Sequence, residues 1–172
     1  MKLLLLLVGL LVALVAVAAL IGAMLPPSHV ATRAATYRQA PALLHAAVRD
    51  WPALPSWRTG LKSVELLPAS EDRPRYRETT NHGAITYVLV EDRPGEKLVL
   101  RIDDDSLPFG GTWIFEFTPA PAGGTLRITE DGFVKPVLFR FLARFVFGHT
   151  ATMETYLRDL GRKGGETTVP QP

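Results

Sequence analysis

The sequence predicts an α+β fold in which an antiparallel seven-stranded sheet is covered by one long C-terminal helix and preceded by one N-terminal transmembrane helix. Three observations carry this prediction. Residues 3–25 form an uncharged apolar run, residues 29–131 contain short apolar segments separated by Gly- and Pro-containing turns, and the apolar period lengthens to that of a helix after residue 136. Strands followed by one helix are typical of a sheet that is covered on one face.

The segment 1–25 is long enough to cross a bilayer. A hydrocarbon core of about 30 Å needs about 20 apolar helical residues, and "LLLLLVGLLVALVAVAALIGAML" at 3–25 satisfies that length. A cleaved signal peptide is the alternative, with "AVA" at 16–18 as a candidate cleavage site, although its apolar region is usually only about 7–15 residues long. We interpret the segment as an uncleaved single-pass anchor.

The orientation of this anchor rests on few charges. Lys2 on one side is nearly balanced by Arg33 and Arg38 on the other, within reach of the positive-inside rule. The very short N-terminal tail is the usual form of an export signal, and it favours an extracytoplasmic position for the domain.

The domain is predicted to span 26–163, because Pro26 and Pro27 cannot continue the anchor helix. It begins with a strand, a short helix that has Pro41 in its first turn, and one or two further helical turns. Six more strands follow, joined mainly by tight turns, so that consecutive strands pair antiparallel. In order, these elements are 29–39, 40–51, 52–57, 61–68, 75–80, 84–92, 97–103, 112–119 and 125–131.

A single long helix is predicted from about 136 to 162, because residues recur there at the i, i+3, i+4 spacing of one helical face. The residues on this face are Leu138, Leu142, Phe145, His149, Thr152, Tyr156 and Leu160. Gly161 and Gly164 end the helix. The tail 164–172 carries no structural signal and is expected to be disordered.

Composition excludes several classes of function. Cysteine is absent, so disulfides, iron–sulfur clusters and thiolate zinc sites are excluded. The net charge of +2 gives no indication of nucleic-acid binding. No phosphate-binding loop, dinucleotide fingerprint, HExxH motif or nucleophile elbow is present. The acidic triplet 103–105 is more typical of a solvated turn than of a cation site, so neither a metal nor a cofactor is predicted.

Four stretches resemble the START-like (SRPBCC) superfamily, in particular small membrane-anchored bacterial members of its polyketide cyclase/dehydrase group. These stretches are "APALLHAAVRDWPALPSWRTGLKSVELL" (40–67), "GGTWIFEF" (110–117), "ITEDG" (128–132) and "FRFLARFVFGHTATMETYLRDLGRK" (139–163). The resemblance implies a helix-grip fold, in which a curved sheet grips the long helix and an apolar cavity lies between them. It says less about function, because the superfamily includes lipid carriers, hormone receptors and cyclases.

Side chains that alternate onto one face of the predicted strands, together with the inner face of the helix, are expected to bind a hydrophobic small molecule or lipid. The expected wall consists of Leu98, Leu100, Trp113, Phe115, Phe117, Leu126, Ile128, Phe145 and Tyr156. Glu130 and His149 are the candidate polar contacts of this apolar pocket. The alternatives are a solvated or arginine-paired Glu130 and an ordinary hydrogen-bonded His149. Glu78 shares a strand face with Tyr76. The same alternatives apply to it as to Glu130, namely a polar contact in the cavity or a solvated or arginine-paired carboxylate.

Other functions stay open at this point. A polyketide aromatase/cyclase would need a paired acid and base near one point of the cavity, whereas a non-catalytic interaction module would fill the cavity with its own side chains. The aromatic stretch "FRFLARFVFGH" (139–149) has three interpretations. It could form core and cavity wall, contact lipid headgroups as interfacial helices do, or contact a partner protein.

Overall fold

The computed structural model describes residues 1–172, apart from the side chain of Phe147. The strands are β1 (Ser28–Tyr37), β2 (Leu61–Ser70), β3 (Arg73–Thr80), β4 (Gly83–Arg93), β5 (Lys97–Ile102), β6 (Phe109–Ala120) and β7 (Gly123–Val134). The helices are α1 (Lys2–Met24), α2 (Pro41–Arg49), α3 (Val137–Leu142) and α4 (Ala151–Lys163). A 3₁₀ helix (Trp51–Ser56) follows α2, and a π-helical turn (Ala143–Phe147) continues α3.

The strands form one antiparallel seven-stranded sheet in the order β1-β7-β6-β5-β4-β3-β2. Each hairpin places a strand beside its neighbour in sequence, and β1 returns to pair with β7. Bulges in β2 and between Leu89 and Glu91 shift the register, and bulges of this kind bend strands. The predicted curved antiparallel sheet with a C-terminal helix, the helix-grip fold, is confirmed.

The core lies between the concave face of the sheet and α4. Alternate residues of β5, β6 and β7 point into it, as the period of two requires. The residues of α4 that meet them share one helical face and are Met153, Tyr156, Leu157 and Leu160. The hydroxyl of Tyr37 on β1 donates a hydrogen bond to the Leu157 carbonyl at 2.9 Å. The helix α2 and the 3₁₀ helix contribute Leu44, Val48, Trp51 and Leu54.

The C-terminal helix is not continuous from 136 to 162, which corrects the sequence prediction. It breaks at Gly148, whose φ of 72° lies in the left-handed region, and α4 begins at Ala151. Glycine adopts this conformation at little cost, and the apolar period cannot reveal such a break. The first part, α3, packs mainly against α1 and touches the sheet at the end of β7. Gly22 of α1 makes this possible, because a Cβ there would collide with the Val137 carbonyl.

The tail 164–172 also differs from the prediction of disorder. Gln171 exchanges backbone hydrogen bonds with Ala34 of β1, with N···O distances of 2.8 and 2.9 Å. The side chain of Thr168 is buried, and Glu166 accepts a hydrogen bond from the Arg38 amide. These contacts use mainly backbone groups and the free edge of β1, so the side-chain pattern of the tail does not indicate them.

Within the described part of the chain, α1 is the one helix that is long and apolar enough to cross a membrane. The helix meets these criteria by length and composition, and an N-terminal signal sequence would meet them as well. Nearly all its side chains are exposed, and Gly22 is its one buried residue.

Candidate functional site

The sheet and α4 enclose a small cavity, here called the grip cavity. Its volume is about 40 Å³, enough for a few water molecules. Small-molecule pockets usually measure about 300–1,000 Å³. Half of the residues that line it are aromatic, and the lining consists of Val48, Arg58, Tyr76, Glu78, Tyr87, Leu100, Trp113, Phe115, Thr152 and Tyr156. The interior of the grip is therefore largely filled by the protein's own side chains.

An ion pair lies in the wall of this cavity. Arg58, two residues after the 3₁₀ helix, donates to the Glu78 carboxylate of β3, and the side chains are only 16% and 5% exposed. The Arg58 guanidinium also lies over the Tyr156 ring, 4.7 Å from its centroid. Burial raises the pKa of Glu78, and the charge and hydrogen bond of Arg58 oppose that rise. Arg58 and Glu78 are the charged side chains among the residues that line the cavity.

A groove of about 350 Å³ on the surface adjoins the grip cavity and is here called the entrance groove. Three residues, Arg58, Thr152 and Tyr156, line both spaces. Asp159 of α4 joins the two sides of the groove, because it accepts a hydrogen bond from the Thr59 amide at 2.6 Å. The groove thus gives the aromatic interior a route to the surface between α4 and the loop at 58–60.

A second group of titratable side chains gathers near the end of β7. The carboxylate of Glu130 lies 3.6 Å from Nε2 of His29, and the His29 and His149 rings stack with centroids 4.0 Å apart. The β1–β7 register pairs His29 with Gly132. A Cβ at Gly132 would lie 2.9 Å from the His29 ring and 3.3 Å from the Glu130 carboxylate, so the missing side chain makes room for both.

Burial shifts the proton affinity of all three groups. It raises the pKa of Glu130, and a hydrogen bond from Trp113 opposes this rise. It lowers the pKa of His29, opposed by the charge of Asp131. The pKa of His149 is lowered by burial, by His29 and by Arg144. The environment therefore disfavours charge on each member of the group.

The same histidines line a second recess, here called the junction pocket, of about 360 Å³. It lies between the end of α1, the ends of β1 and β7, and the segment that contains α3 and the π-helical turn. Its walls are Leu25, Pro26, Pro27, Ser28, His29, Val30, Val134, Arg140, Arg144 and His149. A third recess of about 430 Å³ lies by the acidic loop at 103–105 and shares no lining residue with the grip cavity.

The structure distributes the predicted wall residues over three environments. Those that line the grip cavity are Leu100, Trp113, Phe115 and Tyr156. Those buried in the hydrophobic core are Leu98, Phe117, Leu126 and Ile128. Phe145 lies on the π-helical turn and is 61% exposed, because the break at Gly148 removes it from the face of α4. Glu130 and His149 come together through His29, outside the lining of the grip cavity.

Two residues of these sites have no local signal in the sequence. Arg58 follows Trp57 in a loop, and no local pattern indicates that it reaches Glu78 on β3. His29 carries no local signal either, because its partners Glu130 and His149 are 101 and 120 residues away in sequence. In the described part of the chain, no group of His, Asp and Glu is arranged to hold a metal ion.

The gripped helix and the enclosed aromatic cavity define a START-like domain. The family model for "polyketide cyclase / dehydrase and lipid transport" matches residues 28–164, and the chain therefore belongs to that family. This confirms the resemblance found in the sequence. No curated protein sequence matches the chain.

Solved structures show the same fold at low sequence identity. The di-domain aromatase/cyclase StfQ of the steffimycin pathway is 19% identical, with a TM-score of 0.63 over 80% of this chain. This chain spans about half of that protein, namely 52%. Norcoclaurine synthase from Thalictrum flavum is 11% identical, with a TM-score of 0.60 over 81% of this chain and 87% of its own. A START superfamily protein from Mycobacterium smegmatis is 17% identical, with a TM-score of 0.57 over 79% and 94%.

Proposed function

We propose that this chain is a membrane-anchored START-like domain that binds a hydrophobic small molecule or lipid through the entrance groove and the grip cavity. The observation that carries the proposal is that Arg58, Thr152 and Tyr156 line both spaces, so that the groove continues into an aromatic interior. The groove alone, at about 350 Å³, has the size of a small-molecule site.

The polar anchor of the ligand would be the Arg58–Glu78 pair. A buried ion pair is costly to desolvate, and apolar pockets use a few polar groups of this kind to orient their ligands. The apolar part of the ligand would contact Tyr156 and Trp113, with Thr152 at the passage between groove and cavity. The ligand class that fits is an apolar body with one polar end.

The anchoring part of the proposal is supported by α1. Its 23 residues extend about 35 Å as an α-helix, more than the hydrocarbon core requires. Its apolar side chains are almost all exposed, an arrangement that bilayer lipid would stabilise and water would not.

A non-catalytic interaction module is the second candidate, and the cavity volume of about 40 Å³ favours it. A cyclase is supported less well, although StfQ shares the fold. Glu78 pairs with Arg58, which does not exchange protons near neutrality. The acid and base that do meet, Glu130 and His29, are outside the residues that line the grip cavity.

Native mass spectrometry of the detergent-purified full chain, with lipid extraction, tests the proposal. Thr152→Leu would plug the passage, and Thr118→Leu is the matched control because Thr118 is exposed on the outer face of β6 and lines neither the groove nor the cavity. We expect a bound apolar molecule in the wild type and in Thr118→Leu, and its loss in Thr152→Leu. If the wild type carries no ligand and gains none from an added lipid extract, the interaction module is the better description.

A further inference from the structure

The junction pocket combines positive charge with a position directly beyond the apolar helix. α1 ends at Met24, and Leu25 to Ser28 already line the pocket. If α1 spans the bilayer, the pocket therefore lies at the level of the lipid headgroups on the domain side. The inference rests on the membrane anchor proposed above.

The charge in the pocket comes from two arginines. Arg140 donates from Nε to the Val134 carbonyl at 2.9 Å and from Nη2 to the Lys135 carbonyl at 2.8 Å. These bonds fix its guanidinium against the end of β7 without neutralising it. Arg144 forms no ion pair with any described residue and lies near His149, whose pKa it helps to lower. No carboxylate occurs among the described residues that line the pocket. Glu130 lies 3.6 Å from Nε2 of His29, and the charge of Asp131 acts on the pKa of His29.

The histidines add hydrogen-bonding capacity without charge. His29 directs Nε2 toward Glu130, and its Nδ1 atom is buried with no hydrogen-bond partner among the described atoms. His149 stacks on it and lines the pocket beside it. The two stacked rings thus form an uncharged part of the pocket wall, and the positive charge of the pocket comes from the arginines.

The segment that carries the arginines also presents apolar side chains outward. Phe139 is 55% exposed, and Phe145 and Val146 are each 61% exposed. α3 is held beside the last turn of α1 through the close approach at Gly22. Exposed aromatic and aliphatic side chains next to arginines are typical of helices that lie in the membrane interface. The apolar side chains would enter the acyl boundary while the arginines remain among the headgroups.

We propose that the junction pocket binds the phosphate of an anionic phospholipid headgroup, with Arg140 and Arg144 contacting the phosphate and α3 and the π-helical turn lying in the interface. Guanidinium groups match phosphate in geometry and charge. A soluble phosphate would satisfy the same groups. The neighbouring apolar helix and the exposed Phe139 and Phe145 favour the lipid as its source.

The test uses the full chain in nanodiscs of phosphatidylcholine, with and without phosphatidylglycerol. Native mass spectrometry then counts the lipids retained after release into detergent. We expect one saturable phosphatidylglycerol, and about fivefold weaker retention in Arg144→Gln, from about 1 kcal/mol for each arginine near the headgroups. Arg144→Lys should restore most of the retention. Arg127→Gln, which removes an exposed arginine on the outer face of β7, should leave it unchanged.

Inorganic phosphate, titrated against the detergent-solubilised chain, separates the two sources of phosphate. The imidazole NMR signals of His29 and His149 report on occupancy. We expect no shift at millimolar phosphate. Shifts with phosphate but no retained phosphatidylglycerol would overturn the lipid assignment. Equal retention of both lipids, or equal effects of Arg144→Gln and Arg127→Gln, would overturn the site.

Two controls distinguish loss of lipid binding from a folding defect and from failed membrane insertion. An unchanged unfolding temperature of Arg144→Gln shows that its effect is not a folding defect. A chain that does not enter nanodiscs removes both the anchor and this inference, whereas a chain that enters them and shows no preference for phosphatidylglycerol removes this inference alone.

Discussion

At the scale of residues, the group formed by Glu130, His29 and His149 shows how burial sets the protonation of neighbouring side chains. Each alone would titrate near its ordinary value. Together, away from water, all three have pKa values displaced toward the uncharged form. Such displacements make the stability of the fold depend on pH.

The histidines should make the protein less stable in acid. Because their pKa values are below the ordinary 6.5 in the folded state, the unfolded chain binds more protons as the pH falls below about 6.5. The free energy of unfolding should then decrease until the folded pKa values are passed. His149→Gln should weaken this dependence, and His82→Gln, at an exposed turn, should not. Guanidinium unfolding of the full chain in detergent at pH 7 and at lower pH measures both.

The effect of Glu130 on the pH dependence of stability has the opposite sign. Its raised pKa means that the folded state binds more protons than the unfolded chain just above the ordinary value of 4.5, so its carboxylate costs stability as the pH rises through that window. Glu130→Gln should therefore stabilise the fold at pH 7, and the gain should vanish below both pKa values. A Glu130 pKa of 4.5 by carboxyl-selective NMR, together with a silent Gln variant, would contradict this expectation.

Two aromatic side chains of β6 should differ in their effect on stability. Phe117 is 3% exposed and packs in the core, so Phe117→Ala should cost about 3–5 kcal/mol. Trp113 is half-buried and lines the grip cavity, so Trp113→Ala should cost less stability and mainly reduce ligand binding. Leu66→Ala, at a position 60% exposed on β2, should stay within about 0.5 kcal/mol. Equal costs for the two aromatic variants would show that the cavity wall is as tightly packed as the core.

At the scale of elements, the region 137–163 consists of two parts that are separated at Gly148 and pack against different elements. α4 grips the sheet, while α3 packs against α1 and the π-helical turn continues α3. The aromatic stretch 139–149 is thus neither wholly core nor wholly surface. Phe141 and Phe145 pack on each other with centroids 5.1 Å apart, and Phe139 and Phe145 remain more than half exposed. The side chain of Phe147 lies outside the description.

The contact between α1 and α3 should depend on Gly22. A methyl group there would collide with the Val137 carbonyl, whereas a methyl group at Gly9 meets nothing within 4 Å. Gly22→Ala should therefore separate the helices and increase amide hydrogen exchange in 137–142, and Gly9→Ala should not. The measurement is hydrogen exchange with mass spectrometry on the full chain in nanodiscs. Unchanged protection in Gly22→Ala would mean that the two helices adjust without separating.

At the scale of the whole molecule, the chain joins an exposed apolar helix to a folded domain through the short link from Leu25 to Pro27. The link is fixed at its far end, since the Val134 amide donates to the Pro27 carbonyl at 2.8 Å. If α1 spans a bilayer as proposed, the domain should therefore be held close to it.

The anchor should stay on the mature protein. We expect residues 1–25 to be present and the protein to remain in the membrane fraction after carbonate extraction, because about 20 apolar helical residues suffice for stable insertion. Intact-mass measurement and carbonate extraction check the two parts. A mature N-terminus near residue 19, or release by carbonate, would identify the segment as a signal peptide.

The sequence by itself determined the order of the strands, their antiparallel pairing, the apolar helix and the gripping helix, because periodicity and turn chemistry are local properties of the chain. The period of two also indicated that Glu130 shares the strand face of Leu126 and Ile128. Only the tertiary structure decided that Arg58 meets Glu78, that His29 joins Glu130 to His149, and that α3 leaves the sheet for α1. These contacts depend on strand register, on a glycine that breaks a helix and on another that admits a close neighbour, and such long-range geometry has no periodic signal in the sequence.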